Sequence, residues 1–196
     1  MEKSGLKMFL IHKLQMSLDI EEIRNYYQTV VCNFDHLKWT SSNDAVEPGV
    51  GNHEYENLYG WGIESNQLDQ EKPCPPYNIL QIKSEYQPTK LVFGLILKLK
   101  ELFPNSHQYS IAGHPTGTFV NLHKDNDKYL KIHIPIYTNT QAMFLFENTK
   151  FHLPADGSMY LVNTQELHGT TNSGDTDRIH LFFKIPVSDS DRILEL

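Results

Sequence analysis

Asn121–Asn126 reads NLHKDN, Lys128–Tyr137 reads KYLKIHIPIY, Gln141–Glu147 reads QAMFLFE, and Gly157–Phe183 reads GSMYLVNTQELHGTTNSGDTDRIHLFF. Apolar and aromatic residues recur here with a period of two, and Gly, Asn and Asp punctuate the runs. That pattern belongs to short strands joined by turns. It predicts strands at Gln108–Ala112, Thr118–His123, Tyr129–Tyr137, Ala142–Glu147, Phe151–Leu153, Ser158–Asn163 and Arg178–Pro186.

Upstream the period changes to that of helices. Ser17 is a candidate cap for a helix from about Leu18, with Asp19, Glu21 and Glu22 near its positive end. Ile20, Ile23, Tyr27 and Val31 would form its buried face, and core packing is the expected role of Tyr26 and Tyr27. Leu6–Ile11 reads as an entry strand before it. Pro88 and Thr89 suit the start of a second helix. Leu91, Leu95, Leu99 and Leu102, widened by Val92, Ile96 and Phe103, would be its apolar stripe, and Pro104 its stop. Between the helices, residues 35–77 are rich in Gly, Asn, Glu and Pro, so they read as loop with one or two short strands. Tyr59, Trp61 and His53 there are candidate substrate contacts, with a structural role the commoner outcome. Helices followed by many close strands imply helices packed outside a small barrel or two-sheet sandwich. No linker divides the chain, so residues 1–196 are expected to form a single domain, with a barrel core at about 107–186.

The bulk properties agree with a folded domain. The 196 residues are 39% hydrophobic and 21% charged, enough apolar content for a real core. The net charge of -7 argues against a broad nucleic-acid or anionic-membrane footprint. Cys32 and Cys74 are too few for a disulfide scaffold or a thiolate cluster. With no secretory leader pattern or membrane-length apolar run, the expected location is cytoplasmic.

Strand alternation lets His123 and Asp125 face one interior, and His168 could join them once the chain folds back. Two imidazoles and a carboxylate suit a borderline divalent metal and leave coordination positions open, for oxygen activation or for catalytic zinc. Arg178 follows His168 by ten residues and opens an apolar strand, where its guanidinium fork suits a carboxylate. Lys131 and His133 share one strand face. His180 shares parity with Arg178 and Phe182, and a structural role is expected for it. Asn163 and Asn172 are expected to make turn hydrogen bonds. His107 and His114 have no ligand spacing.

From Gln108 to Ile185 the chain resembles the Fe(II)- and 2-oxoglutarate-dependent oxygenases, in the aspartyl/asparaginyl β-hydroxylase-like branch that includes cis-proline hydroxylases. HKD at His123–Asp125, KIHIPIYTNT at Lys131–Thr140 and LHGTTNSGDTDRIHLFF at Leu167–Phe183 carry the likeness. The resemblance implies a mainly β fold: a double-stranded β-helix (jelly-roll or cupin-like) core with N-terminal supporting helices. It implies that His123, Asp125 and His168 are the catalytic iron ligands and that Arg178 holds the distal carboxylate of 2-oxoglutarate. His133 would lie beside the co-substrate. Lys131 stands where the family commonly has arginine, keeping the charge without the bidentate fork.

The implied reaction consumes O2 and 2-oxoglutarate, releases succinate and CO2, and hydroxylates an amino acid, free or within a peptide or small protein. The chain is compact beside the free-proline hydroxylases, an expectation that favours an open groove. Two alternatives remain on the residues alone: a cupin-type metal enzyme that does not use 2-oxoglutarate, and a small-ligand-binding sensor on the same scaffold.

Overall fold

A computed structural model of the protein describes residues 9–38, 58–65, 87–125 and 128–196. His53, Cys74, Asn126 and Asp127 lie outside them.

The described chain runs β1 (Ile11–Ser17), α1 (Ile20–Asn33), β2 (Leu37–Lys38), β3 (Tyr59–Gly62), β4 (Glu64–Ser65), β5 (Gln87–Pro88) and α2 (Leu95–Leu102). It continues with β6 (His107–His114), β7 (Thr118–His123), β8 (Tyr129–Tyr137), β9 (Ala142–Phe146), β10 (Thr149–His152), β11 (Ser158–Val162), β12 (His168–Asn172) and β13 (Arg178–Pro186). A 3-10 turn and α3 (Ser190–Leu194) close it. This is a mainly β fold with N-terminal helices. A seven-stranded sheet has the order β1-β11-β8-β13-β6-β3-β2, a four-stranded sheet the order β10-β9-β12-β7, and β4 pairs with β5. No helix among the described residues is long and apolar enough to cross a membrane.

The period-two alternation assigns each face of the large sheet. Leu130, Ile132, Ile134 and Ile136 of β8, with Ile179, Leu181, Phe183 and Ile185 of β13, join Ile23 and Val30 of α1 and Ile96 and Leu99 of α2 in the main core. Each fully buried aliphatic or Phe side chain there contributes about 1.5–3 kcal/mol, as an upper figure. The opposite face of β8 and β13 carries Lys131, His133, Arg178, His180, Phe182 and Lys184. It looks toward the four-stranded sheet: the Arg178 guanidinium lies 4.8 Å over the Phe144 ring of β9, and His133 is 4.9 Å from it. Phe144, Phe146, Leu153, Tyr160 and Val162 form a second, smaller core. The candidate site residues therefore sit between the sheets, with the helices behind them.

Local details depart from the sequence expectations for identifiable reasons. Asp19, and not Ser17, caps α1 by accepting from the Glu21 amide at 2.9 Å. Val30, and not Val31, is buried, because Tyr26 and Tyr27 set the inward face. Tyr26 donates to the Leu91 carbonyl at 2.7 Å. Of the entry strand expected at Leu6–Ile11, residues 6–8 lie outside the described residues, and the described strand runs Ile11–Ser17. α2 begins at Leu95, after Gly94 at φ +47, and Leu91 is buried in the turn that leads to it. Pro135 is tolerated in β8 because β11 pairs only with Lys131–His133 and the β13 pairing is bulged there. Trp61 donates to the Phe34 carbonyl at 3.0 Å and Tyr59 to Asp177 at 2.6 Å, so both are structural anchors.

β12 is the strand that the sequence pattern does not predict. Its residues HGTTN read as a turn, yet they bridge β9 and β7. Its buried positions are polar because they face the site between the sheets.

Candidate metal centre and co-substrate pocket

His123 and His168 are direct cross-strand partners in β7 and β12, with ring centroids 4.4 Å apart. Asp125 lies just past the end of β7, where its amide donates to the Thr164 carbonyl at 2.9 Å. The three residues each present one ligand atom, and these atoms lie within 4.8 Å of one another. His123 Nε2 is 3.7 Å from Asp125 Oδ1, and His168 Nε2 is 4.0 Å from Oδ2.

Each imidazole is oriented from behind. Nδ1 of His123 meets the Asn121 carbonyl at 2.8 Å, and Nδ1 of His168 meets the Glu166 carbonyl at 2.9 Å. A carbonyl can only accept, so each Nδ1 carries the proton and each Nε2 lone pair is left for a metal. Protonation supports the same state. Burial lowers the pKa of His123, and burial, against the pull of Asp125, brings His168 down to about 4. Burial alone would raise the Asp125 carboxyl, but Lys131 and the two imidazoles outweigh it and hold the group well below the ordinary range. Two neutral imidazoles and a carboxylate make a donor set that fits Fe(II) in a facial arrangement.

The close meeting of β7 and β12 depends on Gly169. A Cβ there would lie 2.4 Å from the Val120 carbonyl oxygen and 3.1 Å from that of Asn121. The register between these strands shifts at the same point, between His168 and Thr170.

Lys131 is buried, with Nζ 2.5 Å from Asp125 Oδ2, so it stands beside the carboxylate of the triad. Its strand neighbour His133 packs between Phe144 and Phe182. Further along the same face lie His180 and Arg178, both buried. Arg178 Nη2 is 3.2 Å from His180 Nδ1. A guanidinium can only donate, so His180 accepts at Nδ1 and carries its proton on Nε2. That Nε2 and His133 Nδ1 are both buried without a hydrogen-bond partner. Burial, then the field of Arg178, keeps His114, His133 and His180 well below the ordinary histidine pKa. A buried cation among neutral imidazoles with orphaned ring nitrogens is a polar cradle suited to a carboxylate.

The structure thus brings all six sequence candidates to the space between the two sheets, with Lys131 at the triad end and Arg178 toward the other. Asn163 and Asn172 hold loops: Asn172 donates to the His114 and Thr176 carbonyls at 2.8 and 2.9 Å. Sequence reasoning missed His114, the cross-strand partner of Arg178, whose Nδ1 meets Thr170 Oγ1 at 3.3 Å. It also missed Phe144. Alternation along β6 and β9 was the available signal, but parity alone does not say which face meets the site.

A family model described as aspartyl/asparaginyl beta-hydroxylase matches residues 83–186. A search among curated proteins gives no match. Two solved structures share the architecture. An oxidoreductase of the 2OG-Fe(II) oxygenase family from Burkholderia pseudomallei is 12% identical, with 91% of this chain and 86% of that one covered at a TM-score of 0.54. The viral collagen prolyl hydroxylase vCPH from Paramecium Bursaria Chlorella virus-1, solved with 2-oxoglutarate, is also 12% identical. The match covers 93% of this chain and 99% of that one at a TM-score of 0.53. At such identities these likenesses bear on the fold alone.

Proposed function

We infer that this chain, which belongs to the aspartyl/asparaginyl β-hydroxylase family, hydroxylates an amino acid, free or within a peptide or protein, as an Fe(II)- and 2-oxoglutarate-dependent oxygenase. The observation that carries the reading is the triad: His123, Asp125 and His168 converge, with both Nδ1 protons held by carbonyls and both Nε2 atoms turned to a common point.

In this reading those three residues hold iron. Arg178 binds the distal carboxylate of 2-oxoglutarate, supported by its burial beside Phe144 and by the orphaned nitrogens of His133 and His180. His133 lies along the co-substrate. Lys131 balances charge beside Asp125 and meets the oxoacid end. When bound, iron and 2-oxoglutarate supply the oxidising chemistry, in which O2 is divided between succinate and the new hydroxyl group while CO2 is released. The protein's part is to orient and to exclude water: the aromatic rings of Phe144, Phe146 and Phe182 wall the pocket between the sheets.

The two facing sheets support a double-stranded β-helix, with a core at about 107–186 inside one domain of residues 1–196. With only Cys32 and Cys74 in the sequence, we place the chain in a reducing, cytoplasmic setting.

The test is a reaction of the iron-loaded protein with 2-oxoglutarate, ascorbate and a panel of amino acids and peptides, followed by mass spectrometry. One substrate gaining a single oxygen, with matching succinate, is the expected result. Arg178→Lys should weaken 2-oxoglutarate binding about tenfold or more, since the fork geometry is lost. A protein that neither binds 2-oxoglutarate nor forms succinate with any panel member overturns the reading.

A further inference from the structure

The pocket face of the large sheet has a second cationic end, away from Arg178. Lys131 of β8 is the cross-strand partner of Lys184 of β13, and Lys184 is in turn the partner of His107 of β6. Direct cross-strand partners point to the same side, so the three form a row across neighbouring strands. His107 reaches this row only through a bulge. Phe182 pairs with Ser110, but Lys184 pairs with His107, so β6 holds one extra residue in between. Gln108 there has φ +57, a conformation that non-glycine residues adopt at a cost. In a regular ladder Gln108 itself would face Lys184. Tyr129 completes the cluster: its ring is 4.6 Å from His107 and lies 5.9 Å beneath Lys184 Nζ.

Lys131 already has a partner in Asp125. Lys184 does not: among the described residues its ammonium has the Tyr129 ring but no carboxylate within ion-pair distance. Burial, and then Lys131, bring its pKa down to about 8, with Asp125 pulling the other way. A divalent metal on the triad takes up Asp125, the nearby carboxylate, and leaves this end with an excess of positive charge. Arg178 and Lys184 share one face of β13, six residues or about 20 Å apart along the strand. A co-substrate that runs from the metal toward Arg178 leaves the Lys184 end to the other reactant.

We propose that Lys184, flanked by Lys131 and His107, binds a carboxylate of the substrate, so that this enzyme selects an acidic side chain or a free C-terminal carboxylate over the corresponding amide. The proposal rests on the oxygenase reading above and names the substrate class for that site.

The test uses the full chain loaded with nickel(II) and 2-oxoglutarate, a pair that holds the site without turnover. Calorimetric titrations compare acid and amide pairs: L-aspartate with L-asparagine, L-glutamate with L-glutamine, and pentapeptides with Asp or Asn at the centre and with free or amidated C-termini. At least one acid should bind about tenfold or more tightly than its amide. Lys184→Met should abolish that preference, with a loss of about ten- to hundredfold for the acid and little change for the amide or for 2-oxoglutarate. Lys184→Arg should restore most of it. The proposal is overturned if no acid binds, if amides bind as well as acids, or if Lys184→Met weakens acid and amide alike. It is also overturned if that variant loses 2-oxoglutarate affinity, which would assign the row to the co-substrate. A wild-type protein that fails to bind 2-oxoglutarate at all refutes the oxygenase reading first, and this proposal with it.

Discussion

Gly169→Ala is a small change with a large expected effect. The added Cβ would sit 2.4 Å from the Val120 carbonyl oxygen, where ordinary contact begins at 3.4 Å. Both nearby obstacles, the Val120 and Asn121 carbonyls, are backbone atoms of β7 and cannot rotate away as a side chain tip would. The strands must part by about an ångström at the bulge that carries His168, and overpacking of this kind costs about 1–3 kcal/mol. For a chain of this size that is a fall in midpoint of about 2–12 °C. The same displacement separates His168 from its partner His123, so metal affinity should fall by more than the stability loss explains, about ten- to hundredfold. Thermal unfolding of the metal-free protein measures the first effect, and calorimetric titration with zinc or nickel at a temperature where the variant is folded measures the second. A variant with wild-type midpoint and wild-type metal affinity refutes the argument that Gly169 sets the β7–β12 approach.

Three other perturbations have definite signs. His114, His133 and His180 are buried with lowered pKa values, so the folded state resists protons that the unfolded chain takes up below about pH 6.5. Their contribution to stability is complete above that pH and is lost as pH falls through it, by up to about 1.4 kcal/mol per pH unit for each. Urea unfolding of the metal-free protein between pH 6 and 5 should therefore show a shallower slope for His180→Asn than for wild type, and equal slopes would contradict the assignment. Lys131→Met removes the cation beside Asp125, so it should destabilise the metal-free protein more than the metal-loaded one, as read by thermal shifts with and without nickel. Chelating the metal from wild-type protein should lower its stability, by about 2.7 kcal/mol where free metal had stood at a hundred times its Kd. An unchanged midpoint would mean that the triad does not hold the ion.

Much of the fold was legible because burial imposes a period. Leu130, Ile132, Ile134 and Ile136 alternate on β8, and the same alternation on β13 assigned Arg178 and His180 to the face away from the helices. The ordered ligand types His123, Asp125 and His168 were equally visible, since few residue types bind a divalent metal. β12 was not visible. HGTTN has the composition of a turn, and only its place between β9 and β7 makes it a strand. The start of α2 was misplaced for a related reason: Leu91 has the helical spacing, but Gly94 at φ +47 breaks the helix before Leu95.

The sequence by itself determined the chemistry available: two imidazoles, a carboxylate, a guanidinium and the alternation that separates a greasy face from a polar one. Only the tertiary structure decided how those groups meet. Lys131 reached Asp125, His180 became the acceptor for Arg178, and a bulge at Gln108 aligned His107 with Lys184. Side-chain type and strand parity are local and can be read along the chain. Cross-strand register and the distance between sheets are set by residues far apart in sequence, through packing and backbone sterics such as those at Gly169.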